Sequence, residues 1–220
     1  FLFKRTVREA AIRHEMHATF LSKPMADEPG SALHIHQSVV SAADGSNIFS
    51  QPDGEPSELF YAFLGGLQKY IPDAMLVFAP YVNSYRRFQT YSAAPVNLAW
   101  AIDNRTVGLR VPQSGPNNRR VENRLGGSDV NPYLATAVTL ACGYLGMLEG
   151  LRASEPITGS AYEEERTLPW NIWFAIERFG ASTAMRSTLG ERFVDLYCGL
   201  KRAEYAEFEH IITPWERELL

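Results

Sequence analysis

The sequence predicts an α+β domain, because short strand-like runs fill the middle of the chain and helical patterns fill its second half. Apolar runs bounded by Gly, Asn, Asp and Ser indicate strands near 33–40, 97–102, 106–111 and 120–125. Apolar residues at helical spacing indicate helices over 57–70 and from 132 onward. The 220 residues, 45% of them hydrophobic, suffice for one large domain or two small ones.

The first part of the chain combines a helix with a hairpin. Residues 3–14 carry apolar side chains at helical spacing, which predicts an amphipathic helix. A short strand is predicted over 18–21, and a polar loop follows it. The runs 33–40 and 47–49 flank a turn centred on Asp44 and Gly45, and this pattern indicates a hairpin.

Two helices are predicted in the next part of the chain. Ser57 is a good cap for a helix that runs to Tyr70. Pro72 favours the start of a second helix over 72–78, because proline fits the first helical position. The stretch 81–92 is typical of a loop.

Strands are predicted again between residues 97 and 125. The apolar runs 97–102 and 106–111 flank Asp103 and Asn104, which predicts a second hairpin. After a loop rich in Pro, Gly and Asn, residues 120–125 are predicted as a further strand.

Helices dominate the remainder. Asn131 followed by Pro132 is a strong helix start, a capping side chain before proline at the first position. Gly65 and Gly66, inside a predicted helix, indicate a point of close packing rather than a phosphate loop. The last helices are predicted over 170–179, 181–189 and 190–212.

Composition excludes several classes of function. The net charge of −4 and the pI near 5.8, with no block of Lys or Arg, argue against a nucleic-acid partner. No apolar run approaches the length of a membrane span, so no membrane partner is expected. Cys142 and Cys198 lie far apart in helical patterns, which favours buried thiols in a reducing, cytoplasmic compartment.

A histidine pair marks the first candidate site. In a strand, His34, His36 and Ser38 share one face, while Leu33 and Ile35 lie on the other. Two imidazoles and a hydroxyl on one face indicate the wall of a polar site. A surface strand whose histidines have no function is the alternative interpretation, since this pattern fixes only two positions.

Arginines concentrate in one window of the chain. Several lie in strands that otherwise have the pattern of buried strands, and a buried guanidinium needs an anion or an acid partner. Guanidinium groups match carboxylates and phosphates with two N–H donors. Structural ion pairing with Glu122 and Asp129 is the alternative. The arginines are Arg86, Arg87, Arg105, Arg110, Arg119, Arg120 and Arg124.

An acid in this window suggests a metal site. Glu122 opposite His34 would place a carboxylate beside an imidazole, and sites rich in oxygen with one histidine suit Mg²⁺ or Mn²⁺ better than Zn²⁺. A divalent ion with several arginines is a plausible arrangement for holding the phosphates of ATP during phosphoryl transfer.

Five collinear blocks resemble the glutamine synthetase family, and the likeness extends from end to end. Five blocks in the right order are far more specific than any one of them. The five are Lys23-Pro24, GSALHIHQS at 30–38, NSYRR at 83–87, NRTVGLRVP at 104–112, and RVENR at 120–124 followed by NPYL at 131–134.

The resemblance implies the fold of that family's catalytic domain, an antiparallel curved sheet flanked by helices like that of guanido kinases. It implies a carboxylate–amine ligase that uses ATP and divalent ions, phosphorylates the γ-carboxylate of glutamate and lets an amine displace the phosphate. It also implies self-association of the full-length protein into rings, with glutamate and an amine as substrates.

The resemblance implies a role for each matching residue. His34 and Glu122 would ligate the metal ion. The nucleotide would contact His36, Ser38, Arg105 and Arg110, and the catalytic set would be Arg87, Arg105 and Arg110. The glutamate-binding residues would be Gly30, Arg87 and Arg124.

The sequence departs from the family at the flap that follows the NSYRR block. Ala93 stands where glutamine synthetases carry a glutamate that binds and deprotonates ammonium. Alanine has no acceptor and no charge for this task. A larger amine, as in the subgroup that makes γ-glutamyl polyamines, is therefore expected. Authentic glutamine synthetase with an unusual flap, and a non-catalytic homologue that forms rings, are the alternatives.

Two further departures concern completeness. The lysine that the family carries shortly before the Glu122 strand is replaced by Asn117 and Asn118, unless Arg119 takes its place. The resemblance implies that the family's small β-rich N-terminal domain and its other acidic metal ligands would lie upstream of residue 1. We therefore expect residues 1–220 to be the C-terminal part of a catalytic domain, inactive by itself.

Overall fold

The structure, a computed structural model, describes residues 2–219 as one small sheet flanked by helices. The strands, in chain order, are β1 (Ile35–Gln37), β2 (Trp100–Ile102), β3 (Leu109–Val111) and β4 (Val121–Asn123). The helices are α1 (Leu2–Arg13), α2 (Glu58–Phe78), α3 (Val82–Tyr85), α4 (Pro132–Glu149), α5 (Ile172–Ala181), α6 (Thr183–Leu189), α7 (Glu191–Glu209) and α8 (Pro214–Leu219). The predicted α+β class is confirmed.

The sheet has the order β1-β4-β3-β2, with β4 antiparallel to both of its neighbours. The hairpin predicted at Asp103 and Asn104 is wrong, because β2 and β3 run parallel, with Trp100 opposite Leu109. Residues 103–108, here called the crossing loop, instead return the chain from the end of β2 to the start of β3. Two short 3₁₀ turns, Pro116–Asn118 and Ala161–Glu163, follow in the chain.

Helix α2 is longer than the sequence suggests. Its cap is the predicted one, since the Phe60 amide donates to Ser57 Oγ at 3.2 Å. The predicted break at Pro72 is wrong, because α2 continues through it to residue 78. A proline inside a helix costs about 3 kcal/mol. Complete burial of Ile71 and Met75 on either side of the proline contributes apolar stabilisation that offsets this cost.

Helices α2 and α4 cross at a pair of glycines, as the predicted close-packing point requires. A Cβ added at Gly66 would lie 2.3 Å from the Cys142 carbonyl oxygen and 2.7 Å from the Gly146 Cα. The other start signal also holds, because Asn131 Oδ1 accepts the amide of Tyr133 at 3.0 Å. The close approach of Gly66 to Cys142 and Gly146 anchors α4, and with it the sheet, against α2.

Smaller differences concern the strands and loops. Residues 18–21 form no strand in the described chain, and the Phe20 carbonyl accepts a hydrogen bond from Ser128 Oγ instead. The first predicted hairpin is reduced to β1 and a bridge between Val40 and Asn47. The predicted loop 81–92 contains the single turn of α3.

The C-terminal helices follow the prediction within two or three residues. Helices α5, α6 and α7 replace the predicted helices over 170–179, 181–189 and 190–212, and α8 adds a turn beyond them. Within residues 2–219 no helix combines the length and hydrophobicity that a bilayer span requires.

Both cysteines are expected to be inert in the folded protein. Cys142 and Cys198 are free thiols inside the core, and burial raises the pKa of each. We predict that a thiol-specific disulfide reagent labels neither residue rapidly in buffer and labels both at once in denaturant. Rapid labelling of either thiol without denaturant would contradict this burial.

Candidate active site

One face of the sheet carries a polar row. His36 on β1 lies opposite Glu122 on β4, and Glu122 lies opposite Arg110 on β3. Residues in register on adjacent strands project to the same face. On the other face Ile35 and Leu109 are buried in the core beneath the sheet. The sheet therefore separates an apolar core from a charged surface.

Glu122 is the centre of that surface. It is buried, and its Oε1 lies 2.9 Å from His34 Nδ1 and 2.9 Å from Arg124 Nη1. Its Oε2 lies 2.7 Å from Arg110 Nη1. Burial alone would raise the pKa of Glu122, but hydrogen bonds from His34 and Arg110 and the charge of Arg124 hold that pKa well below its usual range. Glu122 is therefore a carboxylate at any physiological pH.

Arg110 bridges two carboxylates. Its Nη2 lies 2.6 Å from Asp103 Oδ1, while Nη1 binds Glu122. Asp103 has a φ of 51°, a left-handed conformation that Asp tolerates better than most residues, and its Oδ1 also accepts the Gln113 amide at 3.2 Å. The sequence indicated Asp103 only as a turn residue. Its role as a partner of Arg110 follows from the crossing loop, which sequence analysis missed.

A second arginine lies deeper. Arg87 is 3% exposed, and its Nη2 donates to the Leu125 carbonyl. Its Nε is buried and has no hydrogen-bond partner within the described part of the chain. Burial lowers the pKa of the guanidinium to about 10, so Arg87 remains charged at neutral pH. A buried cation with an unused donor is suited to an anionic ligand.

Gly30 packs directly on this arginine. A Cβ at Gly30 would lie 2.7 Å from Arg87 Cγ and 2.5 Å from the Ser22 carbonyl oxygen. Only glycine fits there, because the neighbouring carbonyl belongs to the backbone and cannot rotate away. Two of the three residues to which the resemblance assigned glutamate binding, Gly30 and Arg87, are therefore in contact.

Arg124 and Arg105 are linked through the backbone. Arg124 is buried, and its Nη2 donates to the Arg105 carbonyl oxygen at 3.1 Å. Arg124 Nε is a second buried donor without a partner in residues 2–219. The side chain of Arg105 itself is exposed. Its guanidinium is therefore available to a ligand, whereas that of Arg124 is largely fixed.

The remaining predicted nucleotide contacts lie at the rim. His36 and Ser38 are exposed, and Arg120 Nε donates to His36 Nδ1 at 3.3 Å. Partial desolvation and the charges of nearby arginines lower the pKa of His36, and the charge of Glu122 opposes this shift. Neither residue is part of the Glu122 cluster, although His36 lies beside it in the sheet register.

The alternative interpretation, structural ion pairing of the arginines with Glu122 and Asp129, holds for two of the arginines. Arg110 and Arg124 are paired with Glu122, as that interpretation requires. Asp129 does not pair with an arginine in the described chain, because its Oδ2 accepts from Ser84 Oγ at 2.7 Å. The buried Arg87 consequently has no acidic partner within hydrogen-bond reach there.

Arg119 is engaged by the turn that follows residue 47. Its Nη1 donates to Ser50 Oγ at 2.6 Å and its Nη2 to the Gly54 carbonyl oxygen at 2.9 Å. These bonds hold the turn after residue 47 against the 3₁₀ turn Pro116–Asn118. Both terminal nitrogens of Arg119 are thus engaged by the chain itself, and its role in place of the family's lysine stays a prediction.

The loop that carries Ala93 lies near the buried arginines. Ala93 and Tyr91 have φ values of 60° and 59°, and both side chains are exposed. The Tyr91 ring lies 5.2 Å from the Tyr162 ring, and Tyr162 Oη donates to the Ala94 carbonyl oxygen at 3.1 Å. Burial raises the pKa of Tyr162, and the charge of the nearby Arg124 opposes this shift. Tyr162, which no motif singled out, thus connects this loop to the site.

The residues of this chain supply part of a binding site for a divalent cation. An imidazole nitrogen and a carboxylate oxygen face each other across 2.9 Å, the donor types that Mg²⁺ or Mn²⁺ accepts. Residues 2–219 contain no cluster of three such side chains. His34 and Glu122 would supply two ligands, and the others would have to come from water, phosphate oxygens or residues outside this chain.

A sheet whose polar face joins a histidine, a buried glutamate and arginines defines a candidate site for anionic substrates. The chain belongs to the glutamine synthetase family, since the family model for the glutamine synthetase catalytic domain matches residues 1–220. It is 41% identical to the γ-glutamylputrescine synthetase PuuA of Escherichia coli (strain K12), over 98% of this chain and 46% of that protein.

Two further comparisons agree with this assignment. The chain is 35% identical to the type-1 glutamine synthetase 2 of Dictyostelium discoideum, over 99% of this chain and 43% of that protein. A solved structure of apo GmaS without ligand superposes with a TM-score of 0.87 at 35% identity, over 99% of this chain and 51% of that chain. The chain thus spans about half the length of the relatives it matches.

Proposed function

We propose that this chain is part of an ATP-dependent ligase that joins the γ-carboxylate of glutamate to an amine other than ammonia, through a γ-glutamyl phosphate. The observation that carries this proposal is the buried Glu122, with His34 and two arginines converging on it in a glutamine synthetase fold. Relatives of this family include ligases for putrescine, which supports a carbon-bearing amine.

The proposed roles follow the contacts. Arg87 and Gly30 would bind the carboxylates of glutamate together with Arg124, using the unpartnered Nε donors of the two arginines. Arg105, with its free guanidinium, would reach the transferring phosphoryl group and stabilise its charge. Arg110 would do so only after its bond to Asp103 opens, because both of its terminal nitrogens are engaged.

The rim and the metal pair complete this assignment. His36 and Ser38 would contact the nucleotide, and His34 with Glu122 would hold Mg²⁺ or Mn²⁺. A bound divalent ion would supply charge neutralisation of the ATP phosphates. The residues of this chain would place the nucleotide and glutamate on one face of the sheet.

The amine is proposed from the loop beside Tyr162. Ala93 is exposed and offers neither charge nor acceptor to an ammonium ion. A larger amine would gain binding energy from its own carbon body, and the Tyr91 and Tyr162 rings lie next to this position. The relative from Dictyostelium discoideum favours ammonia as the second candidate substrate.

We also propose that the native protein continues beyond this chain, and that residues 1–220 form the C-terminal part of its catalytic domain. None of the α1 residues that the structure describes is buried. Helix α4 exposes Tyr133, Leu140, Tyr144 and Leu148 along one side. An apolar face of this kind indicates a missing layer of structure. The complete protein would act in the cytoplasm and assemble into rings.

An amine panel tests the function. In the native protein we expect glutamate-dependent ADP release to be stimulated by alkylamines or polyamines and little by ammonia. Replacing Ala93 with glutamate should raise the use of ammonia, because it restores a carboxylate at the flap. Stimulation of the unaltered protein by ammonia alone would establish the glutamine synthetase alternative. Absence of Mg-ATP binding by calorimetry would favour a non-catalytic homologue.

A further inference from the structure

A segment far along the chain fastens the crossing loop. Residues 157–161, here called the strap, run beside β2, where the Ile157 amide donates to the Trp100 carbonyl oxygen at 3.0 Å. Buried Ala161 packs with Ala101 and Val107 in a small apolar cluster apart from the main core. The strap thus covers the edge of the sheet at the point where the crossing loop departs.

Side chains of the crossing loop bind the strap directly. The Ala161 amide donates to Thr106 Oγ1 at 2.8 Å, and Asn104 Nδ2 donates to the Gly159 carbonyl oxygen at 2.6 Å. Thr106 Oγ1 in turn donates to Asn104 Oδ1 at 2.7 Å. The Ala161 carbonyl accepts from Asn97 Nδ2 at 2.7 Å. Both neighbours of Arg105 are therefore fixed, although the Arg105 side chain is free.

The carbonyl of Arg105 lies between these two fixed residues and accepts from Arg124 Nη2 at 3.1 Å. Arg124 Nη1 is held by Glu122 at 2.9 Å. The guanidinium is planar, so two fixed acceptors determine its orientation and hence the direction of its unused Nε. The position of the crossing loop therefore sets the orientation of a buried arginine in the candidate site.

We propose that Thr106 is a positioning residue: by joining the strap to the crossing loop it holds the Arg105 carbonyl where it orients the Arg124 guanidinium toward the acid substrate. The proposal adds to the proposed function a residue that contacts neither substrate nor metal. Only the kinetic measurement rests on the proposed function. The contact between the strap and the crossing loop is tested by proteolysis, which requires no enzymatic activity.

The first measurement is limited proteolysis of the native protein by trypsin after Arg105. Thr106→Val keeps the shape of the side chain but removes the hydroxyl that accepts the Ala161 amide. We expect cleavage after Arg105 to become about tenfold faster, the effect of losing one hydrogen bond to a buried group. Thr106→Ser keeps the hydroxyl and should cleave as slowly as the wild type. Short unstructured peptides with Thr, Val or Ser after the arginine are the control, because they show whether trypsin itself prefers one of these residues after the cleaved bond.

The second measurement is the kinetic constants. Thr106→Val should raise the KM for glutamate severalfold with a much smaller change in kcat, and Thr106→Ser should restore the wild-type KM. General destabilisation would lower the apparent kcat through loss of active protein and leave KM unchanged. Thr188→Val, on an exposed turn of α6, is the matched control and should change neither measurement.

Each outcome decides the proposal. Faster cleavage together with a higher KM, both reversed by serine, would support it. Wild-type cleavage in Thr106→Val would overturn the strap contact, and faster cleavage with an unchanged KM would overturn the positioning of Arg124. If the unaltered protein uses no acid substrate, the proposed function fails, and we would withdraw the positioning role while proteolysis still decides whether the strap holds the loop.

Discussion

Glu122→Gln should reduce the free energy of unfolding by about 3 kcal/mol, the cost of removing one partner from a buried ion pair. The substitution conserves the shape of the side chain but removes the charge that Arg124 and Arg110 share. An amide –NH₂ group also replaces one carboxylate oxygen, so that a donor faces the N–H donors of an arginine. Urea-induced unfolding of wild type and variant under identical conditions measures the difference.

A neighbouring substitution provides the control. Asp103→Asn removes the other partner of Arg110, but the Asp103 side chain is 44% exposed. Ion pairs in contact with solvent contribute less than about 1 kcal/mol, so this change should be small. Equal, small losses in both variants would contradict the view that Glu122 is the buried counter-charge of the site.

The parts of the structure that depend on adjacent residues were predictable from the sequence. Ser57 and Asn131 cap helices as their positions indicated, because a cap needs only a side-chain acceptor within the first turn. The contact of His34 with Glu122 was also expected, because Glu122 is the acid in the arginine-rich window and the family resemblance pairs the two residues. The roles given to these site residues stay predictions.

The parts that depend on distant residues were not predictable. The crossing loop does not turn as a hairpin at Asp103, because its neighbours Asn104 and Thr106 bind a strap more than fifty residues later. Helix α2 passes Pro72 because burial of the surrounding turns outweighs the local cost of proline. In both cases the local preference exists, but tertiary contacts contribute more free energy and decide the structure.

The asymmetry between local and tertiary effects leads to the second large prediction, at the crossing of α2 and α4. Gly66→Ala adds a methyl group whose Cβ would lie 2.3 Å from the Cys142 carbonyl oxygen and 2.7 Å from Gly146. Both contacts are backbone, so no rotamer change relieves them and the helices must separate. We expect a loss of about 3 kcal/mol or more, at the upper end of overpacking costs.

The same substitution elsewhere should have the opposite sign. Gly199 lies in α7 with nothing within 4 Å of an added Cβ, so Gly199→Ala should stabilise the protein by about 0.5–1 kcal/mol through helix propensity alone. Paired thermal or urea unfolding of the two variants measures both effects with one chemical change. A stable Gly66→Ala variant would mean that α2 and α4 do not cross at these glycines, and the sheet that presents Glu122 would then lack the support on which the proposed site depends.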